Sequence, residues 1–153
     1  MKENWKNLIP AIAIPLAAGS LSALLAKDGI SSFSTITKPP LTPPAAVFPI
    51  IWTILYILMG IASYLVIMKN PDEKALSLYG LQLLFNFFWS IWFFRFGWYL
   101  FAFFWLIALW LLILATTLAF FRISRPAGYL MLPYLIWVTI AGYLNLGVYL
   151  LNP

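Results

Sequence analysis

Three stripes of polar and aromatic residues concentrate what chemistry this chain offers. Gln82, Asn86 and Ser90 recur at i, i+4 and i+8, and Trp137, Ala141 and Asn145 repeat that spacing with Tyr134 and Tyr149 nearby on the wheel. Trp52, Tyr56 and Gly60 do so a third time. Four-residue spacing places each set on one face of a helix. Carboxamides, indoles and phenols exchange hydrogen bonds and present flat π faces, which is the chemistry of recognising a ring with a polar edge. Proton-transfer chemistry has little to work with.

The missing residue types narrow the field further. The chain has no Cys and no His, so disulfides, thiol redox, Cys/His metal sites, imidazole catalysis and His- or Cys-ligated haem iron lack their residues. Glu3, Asp28, Asp72 and Glu73 are the whole set of acids, and all lie outside the apolar runs. A proton- or cation-coupled pump usually carries an intramembrane carboxylate, so that class is disfavoured. Neither a Ser/His/Asp set, a carboxylate pair nor a phosphate loop is present. The residues call for no catalytic group, metal or cofactor. The net charge of +5 is scattered over segment ends and forms no patch for nucleic acid.

The stripes must be carried by membrane helices. Of 153 residues, 64% are hydrophobic and 8% charged, against roughly 45–50% and about 25% in ordinary globular proteins. So few charges cannot cover a soluble surface of this size. Apolar runs at about 8–26, 45–68, 75–94, 98–121 and 127–151 contain no formal charge and approach the ~20 residues of a spanning helix. Strand-like alternation is absent, so the fold class is an all-α membrane protein, a single five-transmembrane-helix bundle over 1–153 with no internal repeat. Lys2 and Lys6 before the first run suggest a signal peptide, but the run is too long and ends at Lys27-Asp28 without a cleavage signature, so it reads as a retained helix. Pro10 and Pro15 are expected to bend it.

Charge also gives an orientation. Lys2, Lys6, Lys69, Lys74, Arg122 and Arg125 fall on one side, and Lys27, Lys38 and Arg95 on the other. Six against three places the N-terminus in the cytoplasm and the C-terminus outside. The first connection, 28–44, is long, and it stiffens into Lys38-Pro-Pro-Leu-Thr-Pro-Pro44. The others are minimal turns. A long, partly rigid outer loop reads as a lid more readily than as a connector.

Depth ties the stripes to that loop. At ~1.5 Å per residue, Asn145 lies roughly 10 Å below the outer surface, Trp52 about 12 Å, Asn86 and Ala141 about 16 Å, and Trp137 about 22 Å. Each residue alone has a plainer role: membrane Asn and Gln join helices by hydrogen bonds of ~0.6 kcal/mol or a little more, and a membrane Trp packs. Their shared depth under one loop is what describes a pocket. Ala13/Ala17, Ala18/Ser22 and Gly19/Ala23 in the first helix suit close packing within the monomer or a dimer contact.

Three blocks resemble a known family. Lys38-Pro-Pro-Leu-Thr-Pro-Pro-Ala-Ala-Val-Phe-Pro-Ile-Ile-Trp52, Gln82-Leu-Leu-Phe-Asn86-Phe-Phe-Trp-Ser90 and Leu132-Pro-Tyr-Leu-Ile-Trp137-Val-Thr-Ile-Ala141-Gly-Tyr-Leu-Asn145 are similar to the first loop with second helix, the third helix and the fifth helix of the tryptophan-rich sensory protein/translocator protein family (TspO/MBR, the peripheral-type benzodiazepine receptor). The resemblance extends over nearly the whole chain. It implies a five-helix bundle, commonly a homodimer, in a lipid membrane, here a bacterial inner membrane. It also implies a pocket beneath the first loop for porphyrins such as protoporphyrin, for sterols in mitochondrial members, or for benzodiazepine-type drugs. Trp52, Asn86, Trp137 and Ala141 match the family's pocket positions, and Phe33 falls where the lid often presents an aromatic. The sterol pattern near the end of helix five lacks its basic residue, since Leu150, Leu151, Asn152 and Pro153 follow Tyr149.

The expectation is a membrane receptor or binding protein for a planar hydrophobic ligand such as a tetrapyrrole. Phe33, Trp52, Tyr56, Asn86, Trp137, Ala141 and Asn145 are its expected ligand-binding residues. Asn86 would bond the polar edge, and Lys38 or Arg95 would meet porphyrin carboxylates. Two rivals stand beside it. One is a light-dependent porphyrin-degrading enzyme with Trp52 and Trp137 as reactive groups, and the other is a porphyrin, sterol or lipid transporter.

Overall fold

The computed structural model describes residues 2–29, 35–69 and 73–152, with side chains from Lys6 onward. Phe33 lies outside the described residues. Five long helices, α1 Lys2–Leu25, α2 Val47–Ile67, α3 Glu73–Ser90, α4 Tyr99–Ile123 and α5 Arg125–Leu151, account for the expected spans, and the described residues contain no strand. This is an all-α membrane fold. The helix α1 begins about a turn and a half before the apolar run at 8–26. The apolar run marks where lipid contact starts, whereas the backbone bonds itself for as long as its residues allow. Pro10 and Pro15 both lie inside α1.

The third span differs from a plain helix. After Ser90 it widens into a π turn over Ile91–Arg95, with the Phe96 N–H donating to the Ile91 carbonyl at 3.1 Å. Gly97, at φ +63°, then reverses the chain into α4, a conformation that costs glycine least. Apolar periodicity does not register one extra residue in a turn, so the sequence showed only a continuous run. Such π turns recur at functional sites.

The helices close a ring in the order α1, α2, α5, α4, α3 and back to α1. Lipid is as apolar as the side chains it touches, so small residues and interhelical hydrogen bonds have to hold this ring. A Cβ on Gly60 would meet the Ala11 carbonyl oxygen and the Ile12 Cα, both at 2.7 Å, so α1 and α2 are in backbone contact there. Ser22 Oγ of α1 donates to the Phe87 carbonyl of α3 at 2.7 Å. Trp105 Nε1 of α4 donates to the Phe85 carbonyl of α3 at 2.8 Å, and Trp110 Nε1 of α4 to Thr139 Oγ1 of α5 at 2.9 Å. Outward-facing Ile14, Ile54, Phe104, Leu111, Ile136 and Leu150 are exposed, as a lipid-facing surface requires.

The first loop is fastened at its C-terminal half. The Thr37 N–H donates to Asn152 Oδ1 at 3.1 Å, and Asn152 Nδ2 donates to the Thr37 carbonyl at 2.7 Å. Tyr143 OH donates to the Pro40 carbonyl at 2.7 Å, and the Pro39 ring sits where a Cβ on Gly147 would be. Tyr143, Gly147 and Asn152 thus strap the proline block along the end of α5. At the loop's start, Gly29 presses on the Phe94 carbonyl, and Arg95 donates to the Leu25 carbonyl at 3.3 Å.

Candidate functional site

Beneath this strap lies a cavity of about 350 Å³ between α1, α2, α3 and α5, at the small end of the ~300–1,000 Å³ typical of ligand sites. Small residues make the room: Gly19 and Ala23 line it from α1, and Ala141 from α5. A Cβ on Gly19 would run into the Tyr56 ring. Lys38 and Ala45 line it from the loop, and Phe48, Pro49, Trp52 and Tyr56 from α2. The end of α3 and its π turn add Trp89, Ser90, Phe93 and Phe94, and α5 adds Trp137, Leu144 and Asn145. No lining residue comes from α4.

Trp52 is the hub of the aromatic wall. It stacks on Tyr56 at 5.6 Å and 26°, and lies 6.5 Å from Trp89, 6.3 Å from Tyr134 and 6.4 Å from Trp137. Phe48 meets Trp137 edge-on at 5.7 Å. Aromatic pairs in these geometries contribute ~0.5–1.5 kcal/mol each beyond area burial, so the wall is held independently of any ligand.

A chain of polar side chains forms the structure behind the wall. Tyr56 OH donates to Asn86 Oδ1 at 2.8 Å, Asn86 Nδ2 donates to Tyr134 OH at 2.7 Å, and Tyr134 OH donates to Gln82 Oε1 at 2.7 Å. Asn145 is engaged in a second set: it accepts from Trp89 Nε1 at 3.0 Å and donates to the Tyr99 carbonyl at 2.8 Å. Each bond satisfies a group that would cost ~1–3 kcal/mol if buried alone. The indole N–H of Trp137 has no such partner; it is buried without an acceptor.

Five of the seven expected residues line one cavity: Trp52, Tyr56, Trp137, Ala141 and Asn145. Asn86 does not. Expected to bond the ligand, it is buried behind the lining with both ends of its amide bonded to tyrosines, and the helix wheel could not show that two phenols reach it first. Asn145 lines the cavity with its amide already committed to Trp89 and Tyr99. Arg95 is not among the lining residues, whereas Lys38 is. Trp89, Phe93 and Phe48 were missed, although a signal existed. Gln82, Asn86, Trp89 and Phe93 follow the 4-3-4 spacing of a buried helix face, and Phe48 extends the Trp52/Tyr56 stripe one turn back.

The described residues include no group of acidic side chains that could hold a metal ion. What the geometry offers is an aromatic-walled apolar cavity with a lysine on its loop side.

Comparison with known proteins agrees with this architecture. The chain is 37% identical to a tryptophan-rich protein TspO of Chlorobaculum tepidum, over the full length of both chains. It is 36% identical to a tryptophan-rich sensory protein of Cereibacter sphaeroides, covering 99% of this chain and 95% of that one. It is 31% identical to a translocator protein of Bos taurus, covering 95% and 89%. Residues 11–151, from the middle of α1 to the end of α5, match the TspO/MBR family, and the chain belongs to that family of integral membrane proteins.

Proposed function

We propose that the protein is a membrane receptor that binds a planar hydrophobic ligand, a tetrapyrrole such as protoporphyrin, in the cavity under the first loop. The observation that carries this reading is the lining itself: Trp52, Trp89, Trp137, Phe48, Phe93 and Tyr56 converge on one space. Flat walls match a flat ring by dispersion and offset stacking. Lys38 on the loop side suits a ring bearing carboxylates. The unpartnered Trp137 N–H suits a ligand with an acceptor. The amides of Asn86 and Asn145 serve the wall and its support, so the ligand is selected by shape more than by a hydrogen-bond code. We further propose that the protein sits in a bacterial inner membrane as a homodimer, with the first connection, 28–44, outside; the charge bias of the connections supports that orientation.

A second reading follows from three indoles sharing the cavity. Indoles are oxidisable and can pass an electron to an excited ring, so a photoactive ring held against Trp52 and Trp137 would be opened in light, with dissolved dioxygen as the oxidant and oxygen source. Binding alone and degradation separate in one experiment, in which purified protein is loaded with protoporphyrin in the dark, illuminated, and assayed for pigment loss per protein. A binding protein returns the ligand unchanged, while a degrading one yields a defined product.

A further inference from the structure

The bundle has a second concavity at its opposite end. A groove of about 380 Å³ runs between α3 and α4, far in sequence and space from the aromatic cavity, and shares no residue with it. Its walls are apolar, Ala75 and Leu78 on α3 and Ala115, Leu118, Ala119 and Ile123 on α4, with the three alanines making the room. Where two helices meet across alanines, a trough remains that a narrow chain can fill. Leu118 is half exposed, so the trough opens to the side, toward lipid.

Two cations stand at its mouth. Lys74 is the second residue of α3 and Arg122 the next-to-last of α4, so the antiparallel pair brings them to the same rim. Both are exposed, and neither has an ion pair among the described residues. Glu73, the acid beside Lys74, does not line the groove. An open apolar trough capped by two positive charges at the level of a membrane surface matches an amphiphile with an anionic head. The charge bias puts this end at the cytoplasmic leaflet, where anionic lipids attract basic side chains.

We propose that the α3–α4 groove is a binding site for an anionic phospholipid, with its phosphate between Lys74 and Arg122 and the upper part of one acyl chain along Ala115, Leu118 and Ala119. The acyl chain accounts for the apolar lining, and the head for the two cations that cap it. Each cation holds the phosphate by a charge-assisted contact, stronger than a neutral hydrogen bond. The guanidinium can hold two phosphate oxygens at once, whereas the ammonium acts as a point charge.

The test is native mass spectrometry of the purified protein in detergent, titrated with phosphatidylglycerol, phosphatidylcholine or inorganic phosphate. The site predicts retention of phosphatidylglycerol over phosphatidylcholine and no competition from millimolar phosphate. The Lys74→Gln, Arg122→Gln double variant loses both charge-assisted contacts to the phosphate and should lose on the order of tenfold or more in phosphatidylglycerol affinity, and the charge-preserving Lys74→Arg, Arg122→Lys pair should retain most of it. Ala119→Phe, which fills the trough and leaves both cations, should also lose it. Lys69→Gln, Arg125→Gln removes as much charge from the same end outside the groove and should change little. Equal binding of the two lipids overturns the proposal. So does an equal loss in the Lys69, Arg125 variant, which means diffuse surface charge, or displacement by inorganic phosphate, which means a free-anion site.

Discussion

Trp52 and Trp137 stand 6.4 Å apart with their ring planes at 85°. Rings already in edge contact leave no slot between them, because a flat ligand sandwiched by two parallel rings needs about 7 Å between their planes. A planar ligand in this cavity therefore lies flat on one indole and meets the other edge-on.

This asymmetry sets the first prediction. Trp52→Phe and Trp137→Phe should each weaken porphyrin binding several-fold, because stacking on a large aromatic contributes ~0.5–1.5 kcal/mol, and the two losses should differ in size. If both residues serve one ligand, as proposed, the double variant should fall short of the product of the singles. Isothermal titration of the four proteins measures this. Equal and fully additive losses would mean two independent contacts.

Trp137→Phe carries a separate signature in the empty protein. Its indole N–H has no acceptor, so the change removes an unpaired buried donor. Thermal unfolding without ligand should shift little, in contrast to Trp89→Phe, which deprives Asn145 of its donor. If Trp137→Phe destabilises the empty protein as much as Trp89→Phe, the indole has a structural partner.

Asn86 should behave as support for the wall. Asn86→Ala strands the hydroxyl of Tyr56 and removes the donor to Tyr134 OH, which keeps its bond to Gln82, at a cost on the order of 1–3 kcal/mol. The unfolding midpoint should drop clearly, with a smaller change in ligand affinity than in the tryptophan variants. An unchanged midpoint with affinity lost would make Asn86 a direct ligand contact.

Gly147 tests the strap. A branched side chain there would displace the Pro39 ring, so Gly147→Val should loosen the loop over the cavity while the helices stay folded. Ligand dissociation, followed by stopped-flow fluorescence, should quicken. An unchanged rate would show the loop to be only a connector.

Orientation can be read from one cysteine, since the chain has none of its own. Leu41 is 92% exposed on the loop. Leu41→Cys should label with an impermeant thiol reagent in intact cells, and Lys69→Cys only after lysis. The reverse pattern inverts the topology.

The sequence disclosed the parts of this fold that depend on composition and spacing. The five spans follow from charge-free apolar runs, and the convergence of Trp52, Tyr56, Trp137, Ala141 and Asn145 follows from four-residue stripes at matching depth. What stayed hidden depends on partners distant in the chain. Asn86 looked like a ligand group because nothing local reveals that Tyr56 and Tyr134, thirty and forty-eight residues away, bond its two ends. The π turn after Ser90, which carries Phe93 and Phe94 to the cavity, changes backbone hydrogen bonds without altering the apolar pattern. The Thr37–Asn152 strap joins two ordinary loop and terminal residues that no motif marks.

The central claim is that one planar ligand occupies the cavity against Trp52 and Trp137, and a single titration tests it most directly. Protoporphyrin is added in the dark to wild-type protein and to the Trp52→Phe, Trp137→Phe double variant, with tryptophan emission followed in each. A shared cavity predicts saturable, stoichiometric quenching in the wild type, and in the double variant a binding curve moved to markedly higher ligand concentration while Trp89 still reports. Identical affinity in the two proteins would contradict the claim and return both indoles to helix packing.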